Sequence, residues 1–140
     1  MRRAVNGARA VGWNGALARP QPLILVADDD EMILQVVAIV LEGEGYRVAS
    51  ARNGAEALSS IAEERPALLL LDMRMPIKSG WDVAEELRRE GGPPLPIVVM
   101  TATMDAAPWA AEIGATAHLT KPFDLDHLVD VVRRLAPPAE

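Results

Sequence analysis

Short apolar runs alternate along the chain with longer segments that carry apolar residues at helical spacing. The first run, Leu23–Ala27, lies between Pro22 and an acidic cluster and is typical of a buried strand. The next segment repeats apolar residues three and four positions apart and stops at Gly43 and Gly45, which predicts a helix. The same reading predicts four further strands, at Tyr46–Ala49, Ala67–Leu71, Pro96–Met100 and Thr116–Leu119.

Helical spacing returns after each of these strands. The second helix opens at Asn53-Gly54 and closes before Pro66, and the third runs from about Trp81 to Arg89. The fourth, Asp105–Ile113, is predicted to be short and weak because Pro108 fits only in a first turn. The fifth carries one apolar face from Leu125 to Leu135. Five strands alternating with five helices predict an α/β fold, a doubly wound parallel sheet with helices on both faces.

The composition is that of one folded domain. The chain has 140 residues, of which 50% are hydrophobic and 24% charged, so a core is expected and disorder of the whole chain is not. Zero cysteines exclude a disulfide scaffold, a thiolate metal site and a cysteine nucleophile. We expect a cytoplasmic protein, since this composition fits a reducing compartment.

Charge divides the chain into a basic leader and an acidic body. The first 22 residues carry four arginines and none of the 20 acidic residues. An acidic body argues against nucleic-acid binding, and the apolar runs are too short to span a bilayer, so we expect no direct DNA binding and no membrane contact. We expect residues 1–21 to be a disordered leader or the product of an upstream start codon, with an interaction tail anchored by Trp13 as the alternative. Residues 22–136 form the predicted domain and 137–140 a tail.

Acidic side chains follow two of the predicted strands. Asp28–Glu31 follows the first strand and Asp72 the third. A plain helix cap with acids in the first turn explains Asp30 and Glu31. The carboxyl ends of the strands meet at one edge of the sheet, where such folds bind ligands. Carboxylates crowded there repel one another unless a cation neutralises them, and Mg²⁺ (or Mn²⁺) suits these oxygen ligands best.

A lysine and a threonine complete the set at this edge. Only two of the 14 basic residues are lysines, and Lys121 directly follows the fifth strand. A compact ammonium can sit beside a carboxylate and contact one phosphoryl oxygen, although a solvated lysine before a proline turn is an equal alternative. Thr101 follows the fourth strand, where threonine is common, and its hydroxyl can donate to the same oxygen.

Four segments, taken together in this order, carry a family resemblance over about four fifths of the chain, from Pro22 to Leu135. The sequence resembles a receiver domain of the bacterial two-component response regulators, and the resemblance implies a flavodoxin-like sheet with strand order 2-1-3-4-5. The segments are ILVADDD (24–30), LLLDMRMPIKSGWDV (69–83), PIVVMTA (96–102) and GATAHLTKPF (114–123).

The resemblance also implies a role for each residue. Asp72 takes the phosphoryl group from a phosphohistidine, Asp29 binds Mg²⁺ directly and Asp28 binds it largely through water. Asp72 and the backbone carbonyl of Arg74 complete the metal ligands. Lys121 binds a phosphoryl oxygen and forms a cis bond with Pro122. Thr101 moves toward the phosphoryl group once it is present, and His118 occupies the paired switch position.

The implied protein is a signalling switch that catalyses only its own phosphorylation and dephosphorylation. Its expected partners are a sensor histidine kinase or a histidine phosphotransfer protein, together with a downstream protein target. Phosphorylation would control partner binding or a phosphorelay. Because no output domain follows Leu135, we expect a stand-alone receiver that is a monomer or weak dimer.

Some residues depart from the family pattern. His118 replaces the usual Tyr or Phe, and we interpret it as a plain exposed residue rather than a pH sensor. We interpret Trp109 as an exposed partner anchor rather than core. Arg74 and Thr103, each two residues beyond a site residue, are candidates for tuning the lifetime of the phosphoryl group.

Other functions of an α/β domain of this kind fit the residues less well. A phosphohydrolase with an aspartate nucleophile would need an acid at Arg74. An interaction module with a decayed site would lack some of these residues. A flavin site would need a phosphate-binding loop after the first strand.

Overall fold

The computed structural model describes residues 20–139 as an alternation of five strands and five helices. The leader was predicted to comprise residues 1–21. Of these, positions 1–19, which include Trp13, lie outside the described range. The strands are β1 (Leu23–Ala27), β2 (Arg47–Ala51), β3 (Leu68–Asp72), β4 (Ile97–Thr101) and β5 (Ala117–Thr120). The helices are α1 (Glu31–Gly43), α2 (Gly54–Glu63), α3 (Gly80–Glu90), α4 (Ala106–Ile113) and α5 (Leu125–Leu135).

All strand pairs are parallel, and their order in the sheet is β2-β1-β3-β4-β5. The predicted fold class and strand order are therefore confirmed. Alternate residues of each central strand face opposite sides of the sheet, so both faces can be covered. Leu68 and Leu70 pack in a core shared with α1 and α5, whereas Leu69 and Leu71 pack in a second core with α2, α3 and α4.

Four of the five strands end later than predicted. The predicted third and fourth strands stop at Leu71 and Met100, but β3 continues to Asp72 and β4 to Thr101. The reason is backbone pairing, which continues regardless of side-chain polarity: Asp72 pairs with Met100, and Thr101 pairs with Thr120. Both polar residues are buried, so the sheet itself fixes their positions.

The prediction that Trp109 is an exposed anchor is wrong. Trp109 is half-buried and packs against the second core, with its ring edge-on to Trp81 at 4.9 Å between ring centroids. Aromatic rings favour this geometry, and it hides much of the surface that a partner would need. Helix α4 is short, as predicted, and His118 is exposed on β5.

None of the helices found among residues 20–139 is both long and apolar enough to cross a membrane.

Candidate functional site

The carboxyl ends of β1, β3, β4 and β5 bring polar side chains to one edge of the sheet. Asp28 and Asp29 directly follow β1, and Asp72 is the last residue of β3, the neighbouring strand. Thr101 ends β4, and Lys121 directly follows β5. The structure therefore brings the predicted residues to a common edge, as the parallel topology requires.

Three carboxylates form a compact cluster. One oxygen from each of Asp28, Asp29 and Asp72 lies within 4.8 Å of the other two. Asp28 is fully buried and Asp72 is 5% exposed, whereas Asp29 is exposed. Carboxylate oxygens held this close are the donors that a small divalent cation prefers. The residues present thus fit Mg²⁺ on the chemistry of their donor set.

Lys121 lies beside the same cluster. Its Nζ is 2.6 Å from Asp28 Oδ2 and 3.7 Å from Asp72 Oδ2. Its backbone amide donates to the Thr101 carbonyl oxygen at 2.8 Å, and the Lys121–Pro122 bond is cis. The ammonium therefore lies between two carboxylates and offsets part of their negative charge.

The backbone amide and both carboxylate oxygens of Asp28 contact neighbouring residues. Its backbone amide donates to the Ala51 carbonyl at 3.0 Å, which joins it to β2. Its Oδ1 accepts the Asp30 amide at 2.9 Å, and its Oδ2 pairs with Lys121. Asp30 caps α1 by accepting the Met32 amide, so the plain cap interpretation of Asp30 is confirmed.

Burial and neighbouring charge disfavour the ionised form of Asp72. The pKa of Asp72 is raised to about 6, chiefly by burial and next by the negative charge of Asp28. The Lys121 ammonium and the Arg74 amide oppose these effects. At pH 7 a carboxyl with this pKa is about nine-tenths ionised. The group is thus a carboxylate near neutral pH, at a position where added positive charge stabilises it.

Thr101 lies at the same edge of the sheet, but its hydroxyl is hydrogen-bonded to Thr103 and not to the carboxylates. Its hydroxyl accepts the Thr103 amide at 3.4 Å and lies 3.5 Å from the Thr103 hydroxyl. Thr103 in turn accepts the Asp105 amide at 3.1 Å, just before α4. The Thr101 side chain is therefore bonded to the loop that leads into α4.

The loop after β3 is held by two close backbone approaches. The Gly80 amide donates to the Met73 carbonyl at 3.0 Å, and the Gly54 amide donates to the Lys78 carbonyl at 2.9 Å. A Cβ at Gly80 would lie 2.8 Å from Met73 Cα and 2.9 Å from the Asp72 carbonyl oxygen. Only glycine fits there, which explains the glycine of the SGWDV segment.

Two side-chain pairs near this edge were not predicted from the sequence. Arg52, the residue after β2, pairs with Glu31 at 2.7 Å, and its guanidinium lowers the pKa of Glu31. The Arg74 guanidinium lies over the Trp109 ring, with Cζ 5.2 Å from the ring centroid. The position of Arg52 at a strand end was a usable signal, whereas the Arg74–Trp109 contact depends on how α4 packs.

A model of the response regulator receiver domain matches residues 24–133. The chain belongs to this family. The DNA-binding response regulator MtrA of Mycolicibacterium paratuberculosis is 41% identical over 112 residues, covering 79% of this chain and 49% of MtrA. The DNA-binding transcriptional regulator NtrC of Escherichia coli K12 is 39% identical over 114 residues, covering 80% of this chain and 24% of NtrC.

Solved receiver-type structures share the fold. The chemotaxis protein CheY4 of Vibrio cholerae superposes with a TM-score of 0.74 at 28% identity, covering 81% of this chain and 98% of CheY4. The receiver domain of NtrX from Brucella abortus gives a TM-score of 0.74 at 31% identity, covering 81% of this chain and 97% of that domain. The chain is therefore a receiver domain of two-component response regulators.

The prediction of no direct DNA binding is contradicted. Relatives that share this receiver domain are named DNA-binding regulators, and the chain spans about half the length of MtrA and a quarter of NtrC. The prediction used the acidic charge of the receiver domain to judge the whole protein. That charge describes only the receiver surface and does not determine what a longer regulator binds. The stand-alone form stays a prediction.

Proposed function

We propose that this receiver domain accepts a phosphoryl group on the side chain of Asp72 in a reaction that requires Mg²⁺. The observation that carries the proposal is the placement of Asp72, which is nearly buried, shares a carboxylate cluster and faces the Lys121 ammonium at 3.7 Å. Within the response regulator family, this arrangement of charges supports phosphoryl transfer rather than a structural role.

Asp28, Asp29 and Asp72 would hold the metal, together with the backbone carbonyl of Arg74. Mg²⁺ (or Mn²⁺) is the proposed ion because it takes few carboxylates and completes its shell with water and phosphate oxygens. Both oxygens of Asp28 already have partners, Asp30 and Lys121, which supports its contact with the ion through water. When bound, the ion neutralises the carboxylates and the oxygens of the transferred phosphoryl group.

The transfer asks little covalent chemistry of the protein. A carboxylate oxygen of Asp72 forms a bond to phosphorus while the bond from phosphorus to the donor breaks, and the donor leaves with that electron pair. The donor is the phosphohistidine of a kinase or a small acyl phosphate. Asp72 needs no general base, because with a pKa of about 6 it is already ionised near neutral pH. Lys121 Nζ donates to a phosphoryl oxygen and offsets its developing charge.

Thr101 and His118 are the proposed switch residues. The Thr101 hydroxyl now bonds within the loop before α4, so moving it to a phosphoryl oxygen would change that loop. The phosphoryl group shifts the conformational equilibrium only by binding one arrangement better than the other. We further propose that the domain comprises residues 22–136 and that the protein works in the cytoplasm.

Labelling with acetyl phosphate tests the proposal directly. In the presence of Mg²⁺ we expect the wild-type chain to gain the mass of one phosphoryl group, measured on the intact protein. Asp72→Asn should gain none, because an amide is not a nucleophile here. The matched control is Asp130→Asn, an exposed carboxylate of α5, which should label as wild type does. Removing Mg²⁺ with a chelator should stop the labelling of wild type and of Asp130→Asn. Equal labelling of Asp72→Asn and wild type would contradict the proposal.

A further inference from the structure

Arg74 joins the site to helix α4. Its backbone amide donates to Asp72 Oδ1 at 3.4 Å, while its guanidinium lies over the ring of Trp109. The distance of 5.2 Å from Cζ to the ring centroid is within the range of a favourable cation–π contact. One residue thus contacts the phosphoacceptor through its backbone and α4 through its exposed side chain.

The ring that receives Arg74 is itself held in place by two helices. Trp81 of α3 packs edge-on against Trp109 of α4, with an interplanar angle of 69°. The Trp81 indole N–H donates to Glu112 Oε1 at 2.9 Å, which joins α3 to α4 a second time. The position of the Arg74 guanidinium therefore depends on the α3–α4 contact.

We propose that Trp109 is a positioning residue that sets how long Asp72 keeps its phosphoryl group, by holding the Arg74 guanidinium over its own ring. The proposal rests on the proposed function. In hydrolysis, a water oxygen bonds to phosphorus as the bond to the Asp72 oxygen breaks. The carboxylate leaves with the electron pair, and the water gives a proton to the solvent.

Release of Arg74 from Trp109 would slow that hydrolysis. An aspartyl phosphate adds anionic oxygens close to the Arg74 backbone, and a free guanidinium pairs with such oxygens through parallel hydrogen bonds. A guanidinium in that place covers the phosphorus against water. While Trp109 holds it, the approach stays open and the phosphoryl group is lost faster.

The test compares Trp109→Leu, which keeps an apolar side chain without a π face, with Trp109→Phe, which keeps an aromatic face. Each variant is labelled with acetyl phosphate and Mg²⁺, freed of donor, and followed by intact mass. We expect Trp109→Leu to slow phosphoryl loss by roughly two- to fivefold, in keeping with an exposed cation–π contact, and Trp109→Phe to resemble wild type. In an Arg74→Ala background, which keeps the backbone carbonyl, Trp109→Leu should have no further effect.

A second readout does not depend on phosphorylation. The ring current of the aromatic side chain at position 109 should shift the side-chain proton resonances of Arg74 upfield in wild type and in Trp109→Phe. Trp109→Leu has no aromatic ring there and should show no such shift. The proposal is overturned if Trp109→Leu leaves the rate unchanged or raises it, if Trp109→Phe slows loss equally, or if the ratio persists without Arg74. If wild type takes the label normally but the variants do not show the expected rates of phosphoryl loss, this inference alone is overturned. Wild type that takes no label would overturn the proposed function and this inference with it.

Discussion

On one side of the site, β1 and β3 run through the middle of the sheet and every residue of β3 is buried. On the other side, β5 forms an edge of the sheet, and Leu119 is the one buried residue among its four. Helix α1 begins with a side-chain cap on Asp30, whereas α4 begins at Asp105 without one. The structure thus buries the carboxylates on the β1–β3 side, here called the firm side. On the α4–β5 side, here called the loose side, most of the strand is not buried and the helix has no side-chain cap. We therefore expect a conformational change to need less free energy on the loose side.

The largest expected effect comes from removing the ammonium of Lys121, which pairs with the buried Asp28 carboxylate of the firm side. Lys121→Met leaves the fully buried Asp28 carboxylate without its counter-charge. Breaking a buried ion pair by removing one partner lowers the free energy of unfolding by about 3–5 kcal/mol. Urea unfolding in the absence of divalent cations measures this loss, and added Mg²⁺ should restore part of it.

The second lysine of the chain supplies the control. Lys78 pairs with Glu86, and the two side chains are 39% and 29% exposed. Lys78→Met should therefore lower the free energy of unfolding by at most about 1 kcal/mol. If both substitutions had the same effect, the Asp28–Lys121 pair would not be what holds this side of the site.

Asp72 should make stability depend on pH. Its pKa is about 6 in the folded protein against an ordinary value of 3.8, so between about pH 4 and pH 6 the folded protein binds more protons than the unfolded chain. The free energy of unfolding should therefore fall as pH rises through this window and stay low above it. Asp72→Asn removes the charge and should raise the stability at pH 7 by about 1–3 kcal/mol.

The measurement is the difference in unfolding free energy between Asp72→Asn and wild type from pH 4 to pH 8, in the presence of a chelator. The difference should grow with pH up to about pH 6 and shrink when Mg²⁺ is added. The exposed Asp130→Asn serves as the control and should follow wild type throughout. Parallel curves for Asp72→Asn and wild type would show that the folded protein does not disfavour the Asp72 charge.

The firm side was also the more predictable from sequence. A strand buried on both faces must be apolar throughout, so the runs of β1 and β3 predict the sheet, and parallel topology then brings Asp28 and Asp72 together. The strand ends were misjudged because polar residues such as Thr101 still pair through their backbone. The contact of Arg74 with Trp109 left no periodic signal, because it depends on how α3 and α4 pack. The orientation of Thr101 depends in the same way on the loop that follows it.

The loop after β3 offers a smaller test of the firm side. Gly80→Ala places a Cβ 2.8 Å from Met73 Cα, and backbone atoms cannot move aside as a flexible side chain can. We expect the free energy of unfolding to fall by about 1–3 kcal/mol. In the matched control, Gly43→Ala, the new Cβ meets nothing within 4 Å at the end of α1. That substitution should be neutral or stabilising by up to about 1 kcal/mol, since alanine favours helices.

The smallest expected effect concerns the start of helix α4, on the loose side. Asp124 caps α5 by accepting the Asp126 amide at 2.8 Å, whereas the Asp105 side chain makes no such bond at the start of α4. Asp124→Ala should therefore lower the free energy of unfolding by about 0.5–2 kcal/mol, and Asp105→Ala by less than about 0.5 kcal/mol. Hydrogen exchange should also show the α4 amides opening more readily than those of α1. If Asp105→Ala lowered the free energy of unfolding as much as Asp124→Ala, the Asp105 side chain would cap α4. The conformational switch would then involve a helix whose start is as stable as that of α5.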